Sequence, residues 1–425
     1  MRGLSRRGVL GGVAATGVAG AAMAAAAKQG LDADQAQAAE AAGAGGDLVH
    51  PFRGEHQQGI VTPAQDAMHT VAFDVTTPTR AALVDMLTRW TSAVEEMTRG
   101  ELIGGDPETN PFLPPKDTGE AWGYPASGLT VTVGFGATLF VDADGEDRFG
   151  LADRMPAALK AGTPGFRGDA LRPEESGGDL VVQVCADDAQ VCLHAVRNLT
   201  RLAFGTARLR WSQIGYGRTS STSTSQSTPR NLFGFKDGTA NLTAEAGDEE
   251  LARHLWVQDG DDAADWLAGG TYLAARKIHM SMEIWDRVGL AEQERIIGRD
   301  KRHGAPLSVT GPTAADEFAE PRLDGGMIDS RSHVAVVHPS AHGGARMLRR
   351  GYNYTDGHDS MGRLDAGLYF MAYVRDPAVQ FHPVLAAMTQ SDLLQEYLQT
   401  RSDVLAAVPP GVREGERHWG QALFA

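Results

Sequence analysis

Cysteine is nearly missing from this chain. Only Cys185 and Cys192 occur in 425 residues, and no Cys-x-x-Cys pair exists, which removes zinc ribbons and covalently attached c-type haem from consideration. They stand at the end of an apolar strand and in the helix that follows. A disulfide formed outside the cell and two buried free thiols are the alternatives. Basic charge is also short. Lys and Arg total 39 against 54 Asp and Glu, a net charge of −15, and nucleic-acid phosphates would be repelled by such a surface. It would suit cations, although acidity also serves solubility alone. After Ala27 there is no apolar run long enough to span a bilayer.

What is present begins with a targeting pattern. Ser5-Arg6-Arg7-Gly8-Val9-Leu10 reads as a twin-arginine signal, followed by an Ala/Gly-rich run to Ala27. A membrane anchor is the competing reading, but Ala and Gly insert weakly, and an Ala-x-Ala site at Ala25–Ala27 favours cleavage. Loss of this segment, with its three arginines and no acid, leaves a charge of −18. The predicted location is therefore outside the cytoplasm: periplasmic, wall-associated or free. Lys28–Gly46 is an Ala/Gly/Gln-rich leader without period.

The remaining length predicts two domains, residues 47–218 and 231–425, joined by a Ser/Thr-rich surface linker over 219–230. Strands are predicted at Thr70–Val75, Leu129–Phe135, Asp179–Cys185 and Arg208–Ile214. A helix after Thr77-Pro78 carries apolar Leu83, Leu87, Trp90 and Val94 on one face, and Val191–Phe204 forms a second. The order β-α-β-β-α-β is ferredoxin-like. The second half reads similarly: strands at Thr271–Ile284, Ser332–His338, Arg349–Tyr354 and Gly367–Val374, helices at Leu290–Arg299 and Val384–Gln399. The predicted class is α+β, two ferredoxin-like domains.

Gly234-Phe235-Lys236-Asp237-Gly238-Thr239-Ala240-Asn241-Leu242 frames one acid between glycines. Positive-φ glycines can hold a carboxylate rigidly in a cavity wall close to a flat ligand, although Asp-Gly is also the commonest turn signal.

This stretch resembles the Gly-x-x-Asp-Gly signature of the dye-decolourising (Dyp-type) haem peroxidases, in their exported, iron-transport-associated branch. The likeness extends through Pro51-Phe52-Arg53-Gly54-Glu55-His56, Arg148-Phe149-Gly150-Leu151-Ala152-Asp153-Arg154 and Leu348-Arg349-Arg350-Gly351-Tyr352. It implies a dimeric α+β barrel architecture with non-covalent haem b held mainly by the C-terminal domain. It selects His333 as the iron ligand, with His338, Pro339 and Ser340 following it, and Asp365 as the carboxylate behind the imidazole. In a strand, His333 and His338 would face opposite sides, so one alone addresses the pocket.

Across the ring, the resemblance implies Asp237 as the base that moves a peroxide proton and Arg349 as the cation that stabilises separating charge. Arg350 competes for that role, and strand alternation sends the two apart. Gly238, Thr239 and Ala240 would lie against the haem edge. A carboxylate base also implies oxidation that peaks at acidic pH. One departure stands out: His338-Pro339-Ser340 replaces the usual Asn-Pro-Arg, which leaves a propionate partner to His338 or Arg346.

Other clusters have plainer readings beside the functional ones. Asp356, His358 and Asp359 suit a cation or a solvated loop, and Trp211, Trp285, Tyr352 and Tyr373 suit electron relay or core packing. The expected partners are hydrogen peroxide and small aromatic reductants, with a membrane iron-transport system as a further one. The expected state is monomer or homodimer, with no nucleic acid. Two functions compete: one-electron oxidation of bulky phenols or dyes, and release of iron from haem in a ferrous-iron uptake system.

Overall fold

In the computed structural model, residues 48–261 and 264–425 are described. The twin-arginine segment and leader lie outside them. Four strands of the first half, β1 (Ala67–Val75), β2 (Thr130–Gly136), β3 (Leu180–Ala186) and β4 (Ala207–Arg218), pair in the order β2-β3-β1-β4. Four of the second, β5 (Thr271–Met280), β7 (Tyr352–His358), β8 (Leu364–Val374) and β9 (Leu398–Val408), pair as β9-β5-β8-β7. Both are the ferredoxin-like arrangement. The antiparallel seams β2–β9 and β4–β7 join them into a closed eight-stranded barrel, with β6 (Leu348–Arg349) added beside β8.

Helices of the first half do what periodicity asks. Helix α1 (Arg80–Met97) starts at Thr79, whose side chain accepts from Ala82 N, and buries Leu83, Met86, Leu87, Trp90 and Val94 on the outer sheet face. Helix α2 (Ala189–Leu202), capped by Asp188, buries Val191, Cys192, Ala195 and Leu199 beside it. Trp90 is fully buried and its Nε1 donates to Leu199 O at 2.9 Å, which ties the two helices together. Cys185 and Cys192 are both free and buried. Among the described residues no helix is long and apolar enough to cross a membrane.

The second half departs from expectation in three places. Residues 332–338 are not a strand: Ser332 caps the short helix α4 (His333–Val336), which follows α3 (Leu290–Ile297). Helix α5 (His382–Ser391) stops at Asp392, which caps a separate turn at Leu393–Tyr397, and the chain then enters β9, a strand the helical reading concealed. The Ser/Thr run is not a surface linker throughout. Thr219, Ser220, Ser221, Thr222 and Ser223 are buried, because short hydroxyl side chains can bond locally and pack closely against backbone.

Candidate active site

Strand alternation around β6 sorts the two arginines. Arg349 pairs with Ala372 and lies on the outer face of the second-half sheet. Arg350 turns into the barrel, fully buried, with Thr62 O and Gln65 Oε1 accepting from its guanidinium. Arg349 Nη1 reaches Asp237 Oδ1 at 3.4 Å, while Asn231 Nδ2 donates to Asp237 Oδ2 at 3.2 Å. Asn241 fixes the arginine's backbone from both sides: Arg349 N donates to its Oδ1 at 2.8 Å and its Nδ2 donates to Arg349 O at 2.9 Å. These two asparagines are functional residues that sequence reasoning missed. Asn241 was visible only as part of the motif, and Asn231 carried no signal.

The motif's glycines are steric necessities. Gly238 has φ +85°, and a Cβ there would stand 2.9 Å from Ser220 Cα. The buried Ser/Thr segment thus backs directly onto the residue after Asp237.

His333 opens α4. Its Nδ1 bonds Asp392 Oδ2 at 2.7 Å, and the Asp392 side chain has no exposure at all. The other oxygen of Asp392 accepts from Leu394 N at 2.8 Å, so the carboxylate is fixed by the turn it caps. With Nδ1 anchored, Nε2 is the nitrogen left for a ligand. Burial alone pushes the imidazole pKa down, but Asp392, through charge and hydrogen bond, with help from Asp237, outweighs it and Arg349, and the net direction is up. The charges of Asp237 and Arg349 both act on His333, so the three residues lie within electrostatic range of one another. The ring lies deep in the fold, yet 28% of its side chain is bare.

Asp365 does not meet His333. It pairs with Arg401 and lies 3.5 Å from His279 Nδ1. The reason is parity: residue 372 shares Arg349's face, so residue 365, an odd number of steps away, faces the opposite side of β8. His338 is engaged by Ser340 Oγ at 2.8 Å and by Glu320 at 3.0 Å, at the start of the Pro339–His342 turn. Arg346 makes only long contacts, to Asn241 O at 3.5 Å and Glu250 at 3.6 Å. Thr239 is half-buried and Ala240 exposed in the loop after Asp237. In the weak acidic cluster, Asp356 is taken by Lys277 and Asp359 by Arg363. Another missed residue is Arg299, buried, its Nη1 donating to Gly304 O and Glu317 O. Burial and then the charge of Arg349 bring its pKa down to about 10, against the opposing pull of Glu317, Glu320 and Asp237.

Partly covered apolar side chains near His333 suit a flat apolar ligand with a metal centre. Leu385, Ala386, Ala387 and Met388 of α5 are only half-buried, as are Leu368 and Phe370 on the Arg349 face of β8. Phe370 and Leu385 pack on one side against Ala274, Ala372 and Phe381, and Leu368 against the Trp285 cluster, which leaves part of each side chain uncovered.

Family models for the N-terminal and C-terminal domains of Dyp-type peroxidases match residues 57–217 and 228–413. A deferrochelatase of Escherichia coli K12 is 36% identical over 379 residues, covering 88% of this chain and 87% of its own length. Among solved structures, a DyP-type peroxidase from Streptomyces coelicolor superposes with TM-score 0.80 at 36% identity, covering 89% of this chain and 98% of that one. Ferric DtpA from Streptomyces lividans gives 0.79 at 36% identity, over 89% and 98%. A DyP-type peroxidase from Cellulomonas bogoriensis gives 0.76 at 36%, over 89% and 99%.

Proposed function

The chain belongs to the Dyp-type peroxidase family, and on that premise we propose that His333 on one side and Asp237 with Arg349 on the other flank a single haem. The enzyme is a hydrogen-peroxide-dependent oxidoreductase and haem is its cofactor. The observation that carries the site assignment is the deep but bare His333 ring, anchored by Asp392 and acted on by the charges of Asp237 and Arg349.

Bound haem supplies the capacity to take two oxidising equivalents from peroxide and spend them singly. The protein supplies the rest. His333 Nε2 would hold the iron, and Asp392 keeps the proton on Nδ1, which orients the ring and makes it a stronger donor. Asp237 would serve as the base, taking a proton from peroxide at a carboxylate oxygen and returning it to the departing oxygen as water. Asn231 holds that carboxylate at Oδ2 and leaves Oδ1 facing Arg349. Arg349, its backbone pinned by Asn241, offers fixed positive charge where negative charge develops. The reductants are bulky phenols or dyes, one electron at a time. Gly238, Thr239 and Ala240 line the haem edge, and His338, Pro339, Ser340 and Arg346 stand on the chain between the two arms of the site, where a propionate can be met.

The relatives named deferrochelatase support a second reading, in which the same site releases iron from haem for a ferrous-iron uptake system. The twin-arginine pattern supports export, which suits either role. One experiment separates them. Haem-loaded protein mixed with hydrogen peroxide shows spectral conversion and dye loss if the site oxidises such reductants, or free porphyrin and released iron if it takes iron from haem. In the same assay Asp237→Asn is expected to slow the reaction with peroxide on the order of 10²–10⁴-fold. Full rate in that variant would remove Asp237 from the proton-moving role.

A further inference from the structure

Two arginines of the second half are buried and are met by different partners. Arg276, 2% exposed, pairs with Asp169 and Asp403. Arg350 is fully buried and keeps its charge at any working pH, yet no carboxylate among the described residues pairs with it. Uncharged oxygens take that place: Ile60 O, Thr62 O, Gln65 Oε1 and Thr222 Oγ1 accept from its guanidinium. Three of these acceptors belong to residues 54–65, a strap that crosses both halves of the barrel. Gly54 N donates to Val412 O at 3.1 Å, and the His56 ring stacks on Trp256 with centroids 3.7 Å apart. Gln57 Nε2 donates to Pro409 O and to Val133 O, both at 2.9 Å. The strap is thus fastened to the second half, then to β2, and it reaches Arg350 at its far end.

From there the bonds turn back toward the site. Gln226 Oε1 accepts from Ala64 N and from Thr222 N at 3.2 Å each, and its Nε2 donates to Ala64 O at 2.8 Å. Thr222 Oγ1 donates to Thr62 O at 2.7 Å. The carbonyl of Ser221 accepts from Asn241 Nδ2, and Asn241 brackets the backbone of Arg349. The path that leaves Arg350 therefore returns to the residue just before it. Successive side chains on opposite faces of one strand are joined by a closed ring of hydrogen bonds.

We propose that Arg350 is a positioning residue: its grip on Thr62, Gln65 and Thr222 holds β6 so that Arg349 keeps its 3.4 Å approach to Asp237. The inference rests on the site reading above and adds that this acid–guanidinium geometry is set from inside the barrel, through the N-terminal strap. Strand β6 is two residues long and pairs with β8 at Leu348 and Arg349. So short a strand has little ladder of its own, and its orientation depends on what grips its end. The planar guanidinium suits acceptors spread over the strap and the Ser/Thr segment, as a single ammonium would not. His333 and Asp392 take no part in the ring of bonds, so haem retention is independent of it.

The test uses the haem-loaded protein with fluoride, an anion whose binding to ferric haem is strengthened by a charged donor beside it. The variants are Thr222→Val, Arg350→Gln, Arg349→Gln, and Thr222→Val combined with Arg349→Gln. Thr222→Val removes the hydroxyl between Arg350 and Thr62 and keeps the shape of the side chain. It is expected to weaken fluoride binding and to slow the reaction with peroxide, each about tenfold. Both effects should vanish when Arg349→Gln is already present, and the rate of haem transfer to apomyoglobin should not change. Arg350→Gln should act further in the same direction; if that variant does not fold, the Thr222→Val cycle decides alone. Unchanged fluoride affinity in Thr222→Val overturns the proposal. So does a loss that persists in the Arg349→Gln background, or one matched by faster haem transfer, since either marks a general structural effect. A wild-type spectrum that responds to neither fluoride nor peroxide fails the site reading, and this inference with it. A responsive wild type matched by Thr222→Val fails the inference alone.

Discussion

The two halves of the barrel share a topology and spend their helices differently. In the first half, α1 and α2 lie on the outer sheet face and fill it: Leu83, Leu87, Trp90, Val94 and Leu199 have no exposure. In the second half, α5 sits beside the corresponding face and buries only Val384, while Leu385, Ala386, Ala387 and Met388 remain half-buried. One half converts its apolar helices into a core, and the other leaves most of its helix only partly covered. A fold repeated within one chain can thus separate stability from function.

The sharpest way to break that comparison is His333→Ala. The expected outcome is loss of the Soret band on haem reconstitution, together with a lower melting temperature of the haem-free protein, because the buried Asp392 carboxylate loses its partner. Trp90→Ala is the converse. It should cost roughly 3–5 kcal/mol in denaturant unfolding through the cavity left between α1 and α2, whereas Leu385→Ala in haem-free protein costs less, since Leu385 is only half-buried and packs on one side alone. Equal losses would mean that the α5 face is packed after all.

A pH titration sharpens the contrast further. His69, on the outer face of β1 with Nε2 2.6 Å from Ser212 Oγ, is buried, and desolvation lowers its pKa from 6.5 to about 4. A histidine depressed in the folded state is protonated more readily when unfolded. Stability is therefore full above pH 6.5 and declines as pH falls through the window down to about 4, by on the order of 2–3 kcal/mol. His69→Gln should flatten that decline in chemical denaturation. The smallest effect belongs to Asp392→Asn, for which roughly 10–100-fold weaker haem retention is expected, read as the rate of haem transfer to apomyoglobin.

Legibility in the sequence divided along the same line. The first half was readable because periodicity reports burial, and α1 and α2 bury what their pattern offers. In the second half, the chemistry of Asp237, His333 and Arg349 came through a motif resemblance; the structure sets Arg349 Nη1 3.4 Å from Asp237 Oδ1 and lets both charges act on His333. Their supports did not come through. Asp392 lay hidden because an apolar stretch read as one helix to Gln399 runs past the true stop, although an Asp one residue ahead of a new turn is itself a cap signal. Asp365 was a question of strand register, which no local pattern carries. The Ser/Thr run misled for a different reason: composition marks a segment as polar, but hydroxyl groups satisfied by neighbouring backbone are as easily interior.

That last segment constrains how the protein can be rebuilt. Ser220 fills the space beside Gly238, and Ser221 O accepts from Asn241 at 2.9 Å, so the end of one repeat is the mould in which the acid of the other is cast. Chimeras that exchange halves between relatives should keep activity only when the crossover lies before residue 219, carrying these serines together with the glycine they were fitted to.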